Sequence, residues 1–106
     1  MTVSIAVIYP IITITEQPAA TTNVAHGSIT GSLTVSASAT EDAMLSYQWY
    51  SNTTNSNTGG TAITGATGSS FPIPTGLWVG THYYFCAVSA YGSSVRSNVA
   101  VVNVSP

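Results

Sequence analysis

A chain of 106 residues is one domain's worth, and it buries roughly two-thirds of its unfolded surface without help from a metal or disulfide. Only 4% of its residues are charged, Glu16, Glu41, Asp42 and Arg96, for a net charge of −2, where an ordinary soluble domain carries about 25%. A single basic residue excludes nucleic-acid binding and a polybasic membrane patch, since both need several Lys or Arg on one face.

Nearly every segment alternates apolar and polar with period two, and none holds a helical period beyond one turn, so the expected class is all-β. Residues 3–9 are apolar but too short to span a membrane, and they lack a basic leader and a small-residue cleavage site. Any secretion signal or anchor is therefore expected outside this segment. Residues 1–10 read as the end of a preceding module or a linker, with an extra edge strand as the other option, and residues 11–106 as the domain.

Ile12 and Ile14 mark a first strand that breaks at Gln17-Pro18, where an edge position tolerates proline because it has no ladder bond to donate. Residues 22–25 continue it on the other sheet. Leu33, Val35, Ala37 and Ala39 alternate with Thr34, Ser36 and Ser38 as a half-buried strand. Glu41-Asp42-Ala43 turns the chain, and Leu45, Tyr47 and Trp49 then share one face. The Ser/Thr/Asn/Gly run of residues 52–60 predicts an exposed loop. A short strand over residues 61–64 is turned by Gly65-Ala66-Thr67-Gly68. Phe71 and Ile73 carry an irregular strand beside Pro72 and Pro74, residues 82–90 a regular one. Tyr91-Gly92-Ser93 is a tight turn, and Val95, Val99, Val101 and Val104 belong to the last strand. The total is seven to nine strands.

Five stretches carry a family likeness: Ile12-Thr13-Ile14-Thr15-Glu16-Gln17-Pro18, Leu45-Ser46-Tyr47-Gln48-Trp49-Tyr50, Thr61-Ala62-Ile63-Thr64-Gly65-Ala66-Thr67, Tyr83-Tyr84-Phe85-Cys86-Ala87-Val88 and Ser97-Asn98-Val99-Ala100. From Ile11 onward the chain resembles the tandem bacterial Ig-like repeat domains of large cell-surface and secreted proteins. The resemblance implies an immunoglobulin-like two-sheet β-sandwich in which Trp49 packs on Cys86 and Tyr84 anchors the corner into the same strand. It places Trp49, Cys86, Tyr84, Tyr47, Val35 and Phe71 in the core. It departs from antibody domains in having Val35 or Ala37 where their strand-B cysteine stands, so no disulfide is expected. Gly76-Leu77-Trp78-Val79-Gly80 also departs, putting a second tryptophan where the family often has an acidic residue. The implied role is non-enzymatic: an extracellular bacterial surface module, spacer or stalk in adhesion, with neighbouring Ig-like domains as partners.

Catalytic residues are not expected. The chain has no Gly-x-Ser-x-Gly elbow, no glycine-rich phosphate loop and no His-x-x-x-His pair. Glu41 and Asp42 read as turn formers, and three acids are too few for calcium, which takes six or more oxygens. The immunoglobulin arrangement brings His26 and His82 to one end, but structural zinc wants four ligands, so two solvated loop histidines and no metal are expected. No cofactor is implied. Cys86 reads as a small core hydrophobe, without the neighbouring cation or helix terminus that activates a thiol. The glycosylation patterns Asn52-Thr53-Thr54 and Asn103-Val104-Ser105 are expected to be chance matches. Binding, if it resides here, belongs to Tyr91, Trp78 and Tyr83, because sugars stack on exposed aromatic rings. Trp78 weighs towards core or inter-domain packing and Tyr91 towards an exposed turn. The alternative function is a carbohydrate- or host-protein-binding module using the F–G and B–C loops, or an accessory to a surface glycoside hydrolase. Low charge and free strand edges favour association, though a monomer is expected at low concentration.

Overall fold

The computed structural model describes residues 8–106, and its alternating segments form ten short strands. They are β1 (Ile12–Glu16), β2 (Thr21–Ala25), β3 (Ser32–Thr34), β4 (Ser36–Ala39) and β5 (Ser46–Asn52), followed by β6 (Thr61–Ala62), β7 (Ser70–Pro72), β8 (Gly80–Ala90), β9 (Ser93–Arg96) and β10 (Ala100–Ser105). The run expected at residues 3–7 lies outside the described residues. No disulfide is present, and Cys86 is a free, buried thiol.

Six strands form one sheet in the order β2-β10-β8-β5-β6, with β9 also on β8, while β1 pairs with β4 and β3 with β7. All pairings are antiparallel except β2 with β10, which run parallel from Thr21 beside Val101 to Ala25 beside Ser105. The strand count exceeds the expected seven to nine because two strands are cut. At Val35 the chain changes partner, from β7 to β1, and the Val35 N–H donates to Ser69 O at 2.9 Å. Between β9 and β10 the buried Ser97 closes the gap. Its Oγ accepts from the Cys86 N–H at 2.9 Å and donates to Asn98 O at 2.9 Å, and its N–H donates to Cys86 O at 2.8 Å. A hydroxyl here supplies the ladder bond that the break removes.

The core lies between the six-stranded sheet and the two smaller pairs. Trp49, Cys86, Val88, Ala100 and Val102 come from the first, all fully buried, and Ile12, Leu33, Val35 and Phe71 from the second. Trp49 stacks on Phe71 with centroids 5.7 Å apart, and Phe71 meets Tyr84 at 5.3 Å. The Trp49 indole N–H donates to Gly68 O at 2.8 Å, so the largest core side chain leaves no donor unpaired. Tyr47 and Leu45 pack against this cluster half-buried. In the last strand the inward residues are Ala100, Val102 and Val104, whereas Val99 and Val101 are half-buried. The break at Ser97 resets the alternation that the valine spacing alone suggested.

A second, smaller packed region covers the opposite face of β8. Phe85 is fully buried there, with Tyr50 opposite it on β5, their rings parallel and 5.0 Å apart. The Arg96 guanidinium sits 5.5 Å from the Phe85 centroid, a cation–π contact made by the chain's one basic side chain. Residues 53–60 are largely exposed, as expected, and are also tied down over this face as a strap by hydrogen bonds. Asn52 belongs to β5 and its Nδ2 donates to Ser56 O and Thr58 O at 2.9 and 3.0 Å. Asn57 Nδ2 donates to Ser97 O at 3.0 Å, and Arg96 Nη1 to Asn57 O at 2.9 Å. Gly60 ends the strap at φ 81°, where a Cβ would stand 2.8 Å from Ser51 O and 3.3 Å from the Phe85 ring. Only glycine fits that approach.

Candidate functional site at the two strand ends

The turns at either end of β8 carry the exposed aromatic side chains. At the β8–β9 end, Ser46 pairs with Ser89, so the β4–β5 turn stands beside the β8–β9 turn. The β4–β5 turn is a two-residue reversal in which Glu41 and Asp42 both have positive φ, 62° and 50°, closed by Ala43 N–H to Thr40 O at 3.2 Å. That geometry, rather than side-chain hydrogen bonding, is what the acidic pair supplies. It is normally taken by Asn or Gly. Met44 follows it at 87% exposure.

Tyr91 is 73% exposed at this end, but its ring has a neighbour from far away in the sequence. Tyr9 stacks on it with centroids 6.3 Å apart, and Ser93 Oγ donates to Pro10 O at 2.6 Å. A Cβ on Gly92, at φ 72°, would run into the Tyr9 ring. Residues 8–10 therefore lie along the turn, and the Tyr91 surface is shared with the chain's own N-terminal segment. The turn glycine was the only sequence signal for this close approach. Tyr83 is half-buried on the outer face of β8, opposite Val101 and Asn52, and is separated from Tyr91 by the length of the strand.

At the other end, Trp78 is 75% exposed and stands outside the core. Its indole stacks on the His26 ring at 5.3 Å with an interplanar angle of 15°. Two histidines clip the segment that carries it. His26 Nδ1–H donates to Leu77 O at 3.0 Å, and His82 Nε2–H donates to Trp78 O at 2.9 Å. Leu77 packs against the core while Val79, like Trp78, is exposed. The imidazoles thus pin adjacent carbonyls and present one indole face to solvent. His26 is exposed in the turn after β2, as expected of a solvated loop histidine, whereas His82 is half-buried within β8 rather than in a loop. Among the described residues no three His, Cys, Asp or Glu side chains converge.

Chemistry elsewhere is muted. Burial pushes the Cys86 thiol up to about 11, against a weaker opposite pull from a hydrogen bond with the Gln48 backbone, so the nucleophilic thiolate is disfavoured. Burial likewise raises Tyr84. A hollow of about 520 Å³ along the β2–β10 edge is lined by Asn23, Val24, Ala25, Asn103, Val104 and Ser105, and another of about 310 Å³ by Ser51, Asn52, Thr53, Gly60 and Thr61. Neither lining contains a titratable side chain. Both glycosylation-pattern asparagines are already engaged: Asn52 holds the strap, and Asn103 accepts from Thr81 Oγ1 and donates to Asn23 Oδ1 at 3.1 and 3.2 Å.

No curated protein matches the chain. Residues 14–106, which take in all ten strands but the start of β1, match the family described as a domain of unknown function, DUF8696, and the chain belongs to that family.

Proposed function

We infer that the chain is an immunoglobulin-like sandwich serving as a non-enzymatic module of a bacterial surface protein, a spacer or stalk unit in adhesion. The strand order supports the architecture: β1, β3/β4 and β7 stand as strands A, B and E, and β2, β9/β10, β8, β5 and β6 as A′, G, F, C and C′, with Trp49 paired to Cys86. The observation that carries the role is the path of the chain. Pro10 and Ile11 enter beside the β8–β9 and β4–β5 turns, whereas β10 ends at Ser105 beside His26, at the opposite end of β8. Entry and exit at opposite ends suit a unit that transmits length. An exterior of hydroxyls and amides with almost no charge suits a unit that offers proteases and ligands little.

The second reading is a binding module that recognises a glycan or host surface protein, by itself or beside a glycoside hydrolase. The exposed rings of Tyr91 and Trp78 favour it. An array of glycans and extracellular-matrix proteins separates the two readings. A spacer stays silent, and a binder gives a hit that disappears in Tyr91→Ala or Trp78→Ala while thermal unfolding shows the variant folded.

A further inference from the structure

The six-stranded sheet ends on β6 at one side and on β2 at the other. β6 is two residues long and offers little backbone to a neighbour. β2 has five residues, Thr21-Thr22-Asn23-Val24-Ala25, paired to β10 without a register shift. It holds no proline, and no Asp, Glu, Lys or Arg stands between Glu16 and Glu41. The bulge and the terminal Glu16 that blunt β1 have no counterpart here. A strand edge without such devices is open to pairing.

Parallel pairing turns alternate residues of β2 towards β10. The bonds from Val101 N–H to Ala20 O and from His26 N–H to Ser105 O show that the even-numbered residues face it. The N–H and C=O groups of Thr21, Asn23 and Ala25 therefore point off the sheet. Among the described residues their one partner is Ser28 N–H, which donates to Ala25 O at 3.0 Å. A line of side-chain hydrogen bonds leads to the same place. On the outer face of the sheet Thr81 Oγ1 donates to Asn103 Oδ1, and Asn103 Nδ2 donates to Asn23 Oδ1. The line stops at Asn23 Nδ2, an exposed amide with no acceptor among the described residues. Its next rung is an acceptor one strand spacing further out.

We propose that β2 pairs side by side with β2 of a second copy, antiparallel across a two-fold axis between the facing Asn23 residues. Using the same edge twice makes the contact isologous, and it joins the two six-stranded sheets into one. In that register Asn23 faces Asn23 of the second copy, and Thr21 faces Ala25. The outward backbone groups of each copy then find their partners in the other. Asn23 Nδ2 reaches Oδ1 of the facing Asn23, which continues the side-chain line from one sheet into the next. This self-complementarity is what selects a second copy as the occupant. The outward groups are their own hydrogen-bond partners, and neither edge carries a charge to repel the other. A contact of one short strand per copy falls below the roughly 800 Å² per partner of a stable interface, so the dimer is weak. The entry and exit ends of the two copies point in opposite directions. Resting on the module reading above, that polarity suits copies carried by opposed surfaces rather than neighbours on one surface.

The test is sedimentation and NMR-detected amide exchange of the chain from about 20 µM to about 2 mM. The expected result is a monomer–dimer equilibrium that goes no further, with exchange of the Thr21, Asn23 and Ala25 amides slowing as concentration rises. The Thr22 and Val24 amides, already turned to β10 in the monomer, should change least. Asn23→Lys sets two like charges face to face and should weaken the dimer several-fold or more. Asn23→Glu should do the same, whereas an equal mixture of the two variants should restore a dimer. Asn23 is exposed, so both variants should keep the dispersed spectrum of the folded chain. Dimers of Asn23→Lys as strong as those of the unaltered chain would overturn the arrangement, as would slowed exchange confined to the strand ends. A strict monomer at the highest concentration would overturn self-pairing and leave the edge to a strand of another protein. That failure leaves the spacer reading standing, whereas a hit on the glycan and matrix array removes the spacer reading without touching the pairing of β2.

Discussion

The two tryptophans of this chain occupy opposite kinds of site. Trp49 is fully enclosed, stacked on Phe71, with its indole N–H spent on Gly68 O. Trp78 is 75% exposed, stacked on His26, and held through its backbone rather than its ring. Both rings are ordered by one aromatic neighbour and one nearby hydrogen bond. Burial is what separates them: in Trp49 the order serves the fold, and in Trp78 the fold serves the ring's presentation. An exposed tryptophan kept in place by two histidine clips is an unusual expense for an otherwise plain surface.

That contrast can be broken most forcefully at Trp49. Replacing it with Ala should cost about 3–5 kcal/mol in denaturant unfolding, because the site is walled by two strand pairs and leaves a cavity that relaxes poorly. Next in size is an alkaline effect at its partner on β8. Folding favours the neutral Cys86 thiol, so its contribution is intact below the ordinary thiol value of 9.0 and is lost as pH rises through about 11. On the order of 2–3 kcal/mol should disappear across that window, and urea titrations of Cys86→Ala should show a shallower fall.

The strand positions around Trp49 were readable from alternation and from the Trp49–Cys86 pair. Leu33, Val35 and Phe71 fall inward as their period-two spacing requires. Phe85 was not readable. Period two points it away from the core, yet it is fully buried, because a strap of residues that reads as a polar loop folds back over it. Composition describes residues 53–60 correctly as hydroxyl- and amide-rich, but not that those amides are used to tie them down. The ends were legible only in part. Turn signals located Tyr91 and Trp78, whereas the Tyr9 stack and the histidine clips depend on contacts between distant residues, which spacing does not encode.

Smaller changes sharpen the comparison. Ser97→Ala should cost about 1–3 kcal/mol by thermal or chemical unfolding, since it leaves the buried Cys86 N–H without its acceptor. Asp42→Gly should add about 1 kcal/mol, because a non-glycine residue at φ 50° gives up its left-handed strain. Trp78→Ala should change stability by no more than ~0.5 kcal/mol in the same assay, despite removing the same side chain as the Trp49 variant.

The most direct test uses acrylamide quenching of two single-tryptophan proteins, Trp78→Phe and Trp49→Phe, at low concentration. The account predicts blue-shifted, shielded emission from Trp49 when it is alone, and red-shifted, freely quenched emission from Trp78 when it is alone. Equal shielding of both indoles in the dilute monomer would contradict it. Trp78 would then belong to the core, and the end of the module would have no ring to offer a neighbour.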